Sequence, residues 1–226
     1  MSVTEVVADL PLSGRVAMVT GAAQGVGRAC AVALARAGCL VAACDDHAGA
    51  LDALDETAAI CERESGRAFA FTADVTNAEE VERLWVEVTA ALGAPIVLVN
   101  GAGASPPKPL GETSPTEWQA DVRANLDAAF YCARAVLPAM RAAGFGRIVN
   151  VARAPTGEAL VALARTLADE EKDHGITVNA VVAGHARPDE IGRVIAFLAS
   201  PASESITGAR IRVGNERGPE LVKENT

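Results

Sequence analysis

Val16-Ala17-Met18-Val19-Thr20-Gly21-Ala22-Ala23-Gln24-Gly25-Val26-Gly27-Arg28 is a short apolar run, then three glycines, then the start of an alanine-rich helical pattern. The run predicts a β-strand handing over to a helix in a tight turn. The backbone of such a turn passes close to a pyrophosphate, and the helix N-terminus offers free N–H groups to its charge. Gly21, Gly25 and Gly27 suit those demands because they carry no Cβ. Glycines also mark ordinary turns, so the meaning of these three depends on the rest of the chain.

Helix and strand patterns alternate regularly from the glycine turn onward. A helix over 26–37 is stopped by Gly38, and Leu40-Val41-Ala42-Ala43-Cys44 is a buried strand ending in Asp45-Asp46. Leu51, Leu54, Ala58 and Cys61 keep helical spacing up to Gly66, and a third strand over 68–72 stops at Ala73-Asp74-Val75. Val81, Leu84, Trp85, Val88 and Leu92 form one apolar helix face, closed by Gly93. A fourth strand, 96–99, ends in Asn100-Gly101-Ala102-Gly103. A Pro-rich loop (Pro106, Pro107, Pro109) leads to one long helix over 116–143 and a fifth strand over 147–151. A helix over 158–173, a strand over 177–183, a helix over 189–198 and a seventh strand over 209–213 complete the pattern. Strands apolar on both faces, taking turns with helices, predict one α/β domain over 13–214: a Rossmann-type doubly wound seven-stranded parallel sheet with helices on both faces. Residues 1–12 and 215–226 look loose.

Composition narrows the function classes. A net charge of −9 with 20 scattered Lys and Arg argues against a nucleic-acid surface. No stretch approaches the ~20-residue apolar span of a membrane helix, and the acidic N-terminal residues Glu5 and Asp9 do not resemble a secretory leader, so a cytoplasmic protein is expected. The five cysteines (30, 39, 44, 61, 132) include no CxxC pair, which fits reduced, packed thiols and no metal site.

The residues carry a family resemblance that covers about 12–214. Thr20-Gly21-Ala22-Ala23-Gln24-Gly25-Val26-Gly27 is similar to the TGxxxGxG of short-chain dehydrogenases/reductases, and Asn100-Gly101-Ala102-Gly103 to their NNAG. Asp74-Val75, Asn125, Gly146-Arg147-Ile148-Val149-Asn150-Val151, Ile176-Thr177-Val178-Asn179 and Ile206-Thr207-Gly208 come in the family's order. The resemblance implies a nicotinamide cofactor held at Gly21, Gln24, Gly25, Val26 and Gly27. Asp45 would take the ribose hydroxyls and favour NAD over NADP, Asp74 and Val75 would hold the adenine, and Asn100, Gly101 and Ala102 would line the adjoining ribose.

The family's chemistry uses a Ser, a Tyr with a Lys four residues on, and an Asn; the Lys makes the phenol, which titrates near pH 10 on its own, useful near neutrality. The one tyrosine here, Tyr131, has Ala135 four residues on and lies in the long helix. Arg153 stands in the Ser slot and Gly157 in the Lys slot, with only 152–156 between Val151 and Gly157, so the Ser-to-Lys segment is absent. Asn125 is the surviving member of the set. After the sixth strand, Gly184-His185-Ala186-Arg187-Pro188 runs directly into the next helix, without the family's carboxamide-binding Thr or substrate lid.

The residues admit three readings. The first is a catalytically impaired NAD(H)-binding or structural subunit that pairs with an active relative, or with itself, through the helices 116–143 and 158–173. The second is an oxidoreductase with a rebuilt site, Arg153 polarising a carbonyl and His185 supplying a proton. The third is a non-redox protein using the opened cleft. His47 and the run Asp169-Glu170-Glu171 read as solvated, His174 as a cation at a helix end, and Trp85 and Trp118 as core or interface anchors.

Overall fold

Strand β1 (Val16–Thr20) is buried at every residue, as is β5 (Gly146–Ala152), which is what a sheet covered on both faces requires. The computed structural model describes residues 12–46, 49–64, 66–103, 109–152 and 156–214. With β2 (Leu40–Asp45), β3 (Arg67–Thr72), β4 (Val97–Asn100), β6 (Ile176–Ala183) and β7 (Arg210–Val213) these strands form one seven-stranded sheet in the order β3-β2-β1-β4-β5-β6-β7. Every neighbouring pair is parallel. The expected doubly wound sheet is therefore present, and the order reverses between β1 and β4.

Alternate residues of each strand feed two cores. Val19, Val99, Val149 and Val181 meet α1 (Gly25–Arg36), α2 (Ala50–Arg63) and α7 (Pro188–Ala199) through Leu34, Leu54 and Ile195. Met18, Leu98, Ile148 and Val178 meet α3 (Ala78–Leu92), α5 (Ala128–Ala143) and α6 (Gly157–Glu171) through Leu84, Val136 and Leu160. All five cysteines are buried and none is in a disulfide. Among the described residues no helix is long and apolar enough to cross a membrane, and no group of three His, Cys, Asp or Glu could hold a metal.

Three details differ from the sequence-based expectation. The helix expected over 116–143 is α4 (Pro115–Val122), a π turn (Arg123–Asp127) and then α5; α4 opens on a capping box in which Ser114 and Glu117 satisfy each other's backbone N–H. Leu12, placed in a loose terminus, is fully buried in the first core. Glu171, read as solvated, has no exposed side-chain surface: it accepts from Arg141 Nε at 2.9 Å and Nη2, and His174 Nδ1 lies 3.4 Å away, tying α5 to the end of α6.

Candidate functional site

A cleft of about 500 Å³ opens at the C-terminal ends of β1, β2 and β4, where the strand order reverses. The glycine turn forms its floor, and its three glycines do different work. Gly21 takes φ +69°, and a Cβ there would stand 2.6 Å from the Gly101 carbonyl oxygen, so the turn and the loop after β4 touch backbone to backbone. A Cβ on Gly27 would lie 2.0 Å from the Gly21 oxygen, which requires glycine if α1 is to start this close to β1. Gly25, at φ +56°, has open space around its Cβ position and borders the cleft.

The turn is held from behind. Ala22 N–H donates to the Cys44 carbonyl at 3.0 Å and Ala23 N–H to Asp45 Oδ2 at 3.1 Å, stapling the turn to the end of β2. Thr57 Oγ1 donates to the Ala22 oxygen at 3.0 Å, while Arg28 Nε donates to the Ala23 oxygen at 3.1 Å. Gln24 supplies no side-chain cap to α1, and the first turn of that helix holds no acidic residue. The leading amides of α1 therefore have no intrahelical acceptor and face the cleft with the positive end of the helix dipole. That is an anion site by construction.

Gln24, Val26, Asp45, Asp74, Val75, Gly101 and Ala102 border the same cleft, so the structure brings together nearly all the residues expected to hold a dinucleotide. Asp74 is fixed by accepting from Thr76 N–H at 2.8 Å, and its own N–H donates to Glu80. Asn100 departs from the expectation: it is buried, and its Nδ2 donates across the sheet to Asn150 Oδ1 at 2.9 Å, away from the cleft. The register that sets Asn100 opposite Asn150 turns both amides toward each other. Sequence reasoning gave no role to Thr20, whose buried Oγ1 accepts from both Gly101 and Ala102 N–H at 3.1 Å and so joins the two halves of the cleft. Its place directly before the glycines was the available signal.

The inner end of the cleft is formed by Gly103 and Ala124. Asn125 sits just behind, in the π turn. A Cβ on Gly103 would come within 2.5 Å of its Oδ1, and its Nδ2 donates to the Asp121 carbonyl at 2.9 Å and to Asp121 Oδ1 at 3.1 Å. Beyond it, α6 begins directly against β5: a Cβ on Gly157 would lie 3.3 Å from the Ala152 carbonyl carbon. Tyr131 is packed on α5 against the second core and edge-on to Phe130. His185 is exposed and does not border the cleft, and Arg153 lies outside the described residues. Among the described residues, Asn100 Oδ1, Asn150 Nδ2, Asp121 Oδ2 and Thr156 Oγ1 are buried without a hydrogen-bond partner. The first two belong to β4 and β5.

Strand order, glycine turn and cleft together define a Rossmann-type α/β protein built around a dinucleotide-sized site. A family model described as short chain dehydrogenase matches residues 15–193, and the chain belongs to the short-chain dehydrogenase/reductase family. It is 31% identical over 238 aligned residues to an acetoacetyl-CoA reductase of Allochromatium vinosum, covering 88% of this chain and 96% of the relative. A 3-oxoacyl-[acyl-carrier-protein] reductase of Synechocystis is 31% identical, with 89% and 96% covered. A short-chain type dehydrogenase/reductase from Mycobacterium marinum superposes with a TM-score of 0.83 at 29% identity, covering 94% of this chain and 97% of that structure. The alignment to the Allochromatium reductase is longer than this chain. Since 88% of 226 residues is about 199, about 39 of its positions have no counterpart here.

Proposed function

We propose that this chain binds NAD(H) without carrying out the family's hydride chemistry and serves as a binding or structural subunit assembled with an active relative or with itself. The observation that carries the reading is that only residues 153–156 separate the end of β5 from the start of α6, beside a cleft whose lining suits a dinucleotide. Gly21, Gln24, Gly25 and Val26 with the amides of α1 would take the pyrophosphate, Asp45 the adenosine ribose, and Asp74 and Val75 the adenine. The pinned Asp45 carboxylate repels a 2′-phosphate, which favours NAD over NADP. When bound, the cofactor supplies a hydride donor or acceptor. This chain supplies no phenol beside it to move the matching proton, and Asn125 buttresses the Gly103 wall.

The partner-binding part rests on α4, α5 and α6. Trp118 and Phe130 are large apolar side chains left 42% and 49% exposed on the first two, as unmet interface anchors would be. A rebuilt proton donor has less support, because His185 faces solvent away from the cleft. Calorimetric titration with NAD, NADH and NADP, followed by an NADH-oxidation assay on ketones and 3-oxoacyl thioesters, tests the reading. It requires saturable binding of NAD(H), weaker binding of NADP and no turnover. Turnover that depends on His185 or Arg153 would replace it with the rebuilt-site reading, and purification from the source solely as an unassociated monomer would remove the subunit role.

A further inference from the structure

Carboxylates dominate the charge around the cleft. Among the described residues its lining includes Asp45, Asp46 and Asp74 and no Lys or Arg. A further carboxylate is buried next to the inner end. Asp121 of α4 is 5% exposed, and among the described residues its Oδ2 meets no hydrogen-bond donor, charged or neutral. Its Oδ1 accepts from Asn125 Nδ2 at 3.1 Å, and the same Nδ2 donates to the Asp121 carbonyl at 2.9 Å. With Nδ2 turned to Asp121, the Asn125 amide sets its Oδ1 against Gly103, where an added Cβ would stand 2.5 Å from that oxygen. The wall at the inner end therefore presents the negative end of an amide dipole, backed by a carboxylate. Arg123, the nearest basic residue in sequence, is exposed and borders a separate hollow with Trp118. A carboxylate held at this depth without a cation is unfavourable, and a positive charge brought near it is stabilised.

We propose that Asp121 makes the cleft select the oxidised form of the cofactor, so that its occupancy follows the oxidation state of the nicotinamide pool. The inference rests on the proposed binding of NAD(H) in this cleft. With the pyrophosphate on the α1 amides and the adenosine at Asp45 and Asp74, the nicotinamide half is left the inner end, at Gly103 and Ala124. The oxidised ring carries a unit positive charge and the reduced ring carries none. The two forms are otherwise alike, so the pyrophosphate and adenosine contacts favour neither. Charge near the inner end discriminates between them, and Asp121 is the buried carboxylate placed there. Attraction through a wall of low dielectric makes the difference about fivefold or more in affinity. A chain that does not interconvert the two forms then holds whichever the pool supplies, weighted toward the oxidised one.

Calorimetric titration of the full-length protein with NAD, NADH and ADP-ribose, which lacks the nicotinamide ring, tests this on the wild type, Asp121→Asn and Asp121→Ser. Both variants remove the charge, and the first keeps an oxygen for Asn125. The expected result is wild-type binding of NAD about fivefold or more tighter than NADH, a ratio near one in both variants, and ADP-ribose affinity equal in all three proteins. Equal affinity for NAD and NADH in the wild type would overturn the inference and leave NAD(H) binding standing. A preference that survives in the variants, with ADP-ribose binding intact, would overturn it as well. Saturable binding of neither form would remove the binding reading itself, and the inference with it.

Discussion

Gly27 and Asp45 are the residues on which the cleft depends most directly. Replacing Gly27 by Ala puts a Cβ 2.0 Å from the Gly21 oxygen, so the turn must open or α1 must shift. The expected cost is about 1–3 kcal/mol of stability, together with loss of dinucleotide binding, measured by thermal melting and calorimetry. Asp45→Asn keeps the shape but removes the charge that the proposed binding mode sets against the ribose hydroxyls. NAD affinity should fall by about 1.5–3 kcal/mol, at least tenfold, while the preference over NADP narrows. An unchanged NAD affinity would show that the carboxylate only staples the turn through Ala23. At this scale the tight strand-to-helix turn was legible in Gly21 and Gly27, because each answers a backbone requirement written into one position. Asn100 was not: whether a residue at a strand's end faces a cleft or its neighbour strand is decided by register, which the sequence does not display.

At the scale of elements, strands and helices were readable from apolar periodicity to within a residue or two at most ends. The π turn at Arg123–Asp127 was hidden, because one extra residue in a turn leaves the apolar stripe nearly unbroken. Burial of Glu171 was hidden for a related reason. Three acidic residues in a row look solvated, and only the meeting of α5 with α6 shows that the last of them receives Arg141. Hydrogen bonds from Arg141 hold the Glu171 carboxyl below the usual carboxylate range, against the opposing effect of burial. A depressed carboxylate contributes stability above its unfolded pKa, about 4.3, and loses it as pH falls through the folded value. Glu171→Gln should therefore melt below the wild type at neutral pH, and the gap should close as the pH drops below about 4. A gap that stays constant on acidification would mean that the charge contributes nothing and that only packing was changed.

For the whole molecule, the family and the seven-stranded parallel architecture were legible from many motifs in one sequence order, whereas the order of the strands was not. What the motifs could not convey is how the polar groups inside the fold are satisfied. Among the described residues, Asn100 Oδ1 of β4, Asn150 Nδ2 of β5, Asp121 Oδ2 and Thr156 Oγ1 are buried without a hydrogen-bond partner. Such atoms are costly unless water or a ligand reaches them. The thiols report on integrity at the same scale: burial pushes Cys39 and Cys132 up to about 12 and Cys61 to about 11. The native protein should therefore resist thiol reagents at neutral pH, releasing all five thiols together on unfolding. Early modification of one thiol would reveal local opening of the helix layer that contains it.

The central claim is that the cleft retains the dinucleotide and lacks the chemistry. Its most direct test is a single sample of purified protein, titrated with NADH in the calorimeter and then supplied with ketone and 3-oxoacyl substrates while NADH is followed optically. The account predicts a saturating, Asp45-dependent binding isotherm and a flat absorbance trace. Sustained NADH oxidation by this chain alone, or no detectable binding at millimolar cofactor, would contradict it.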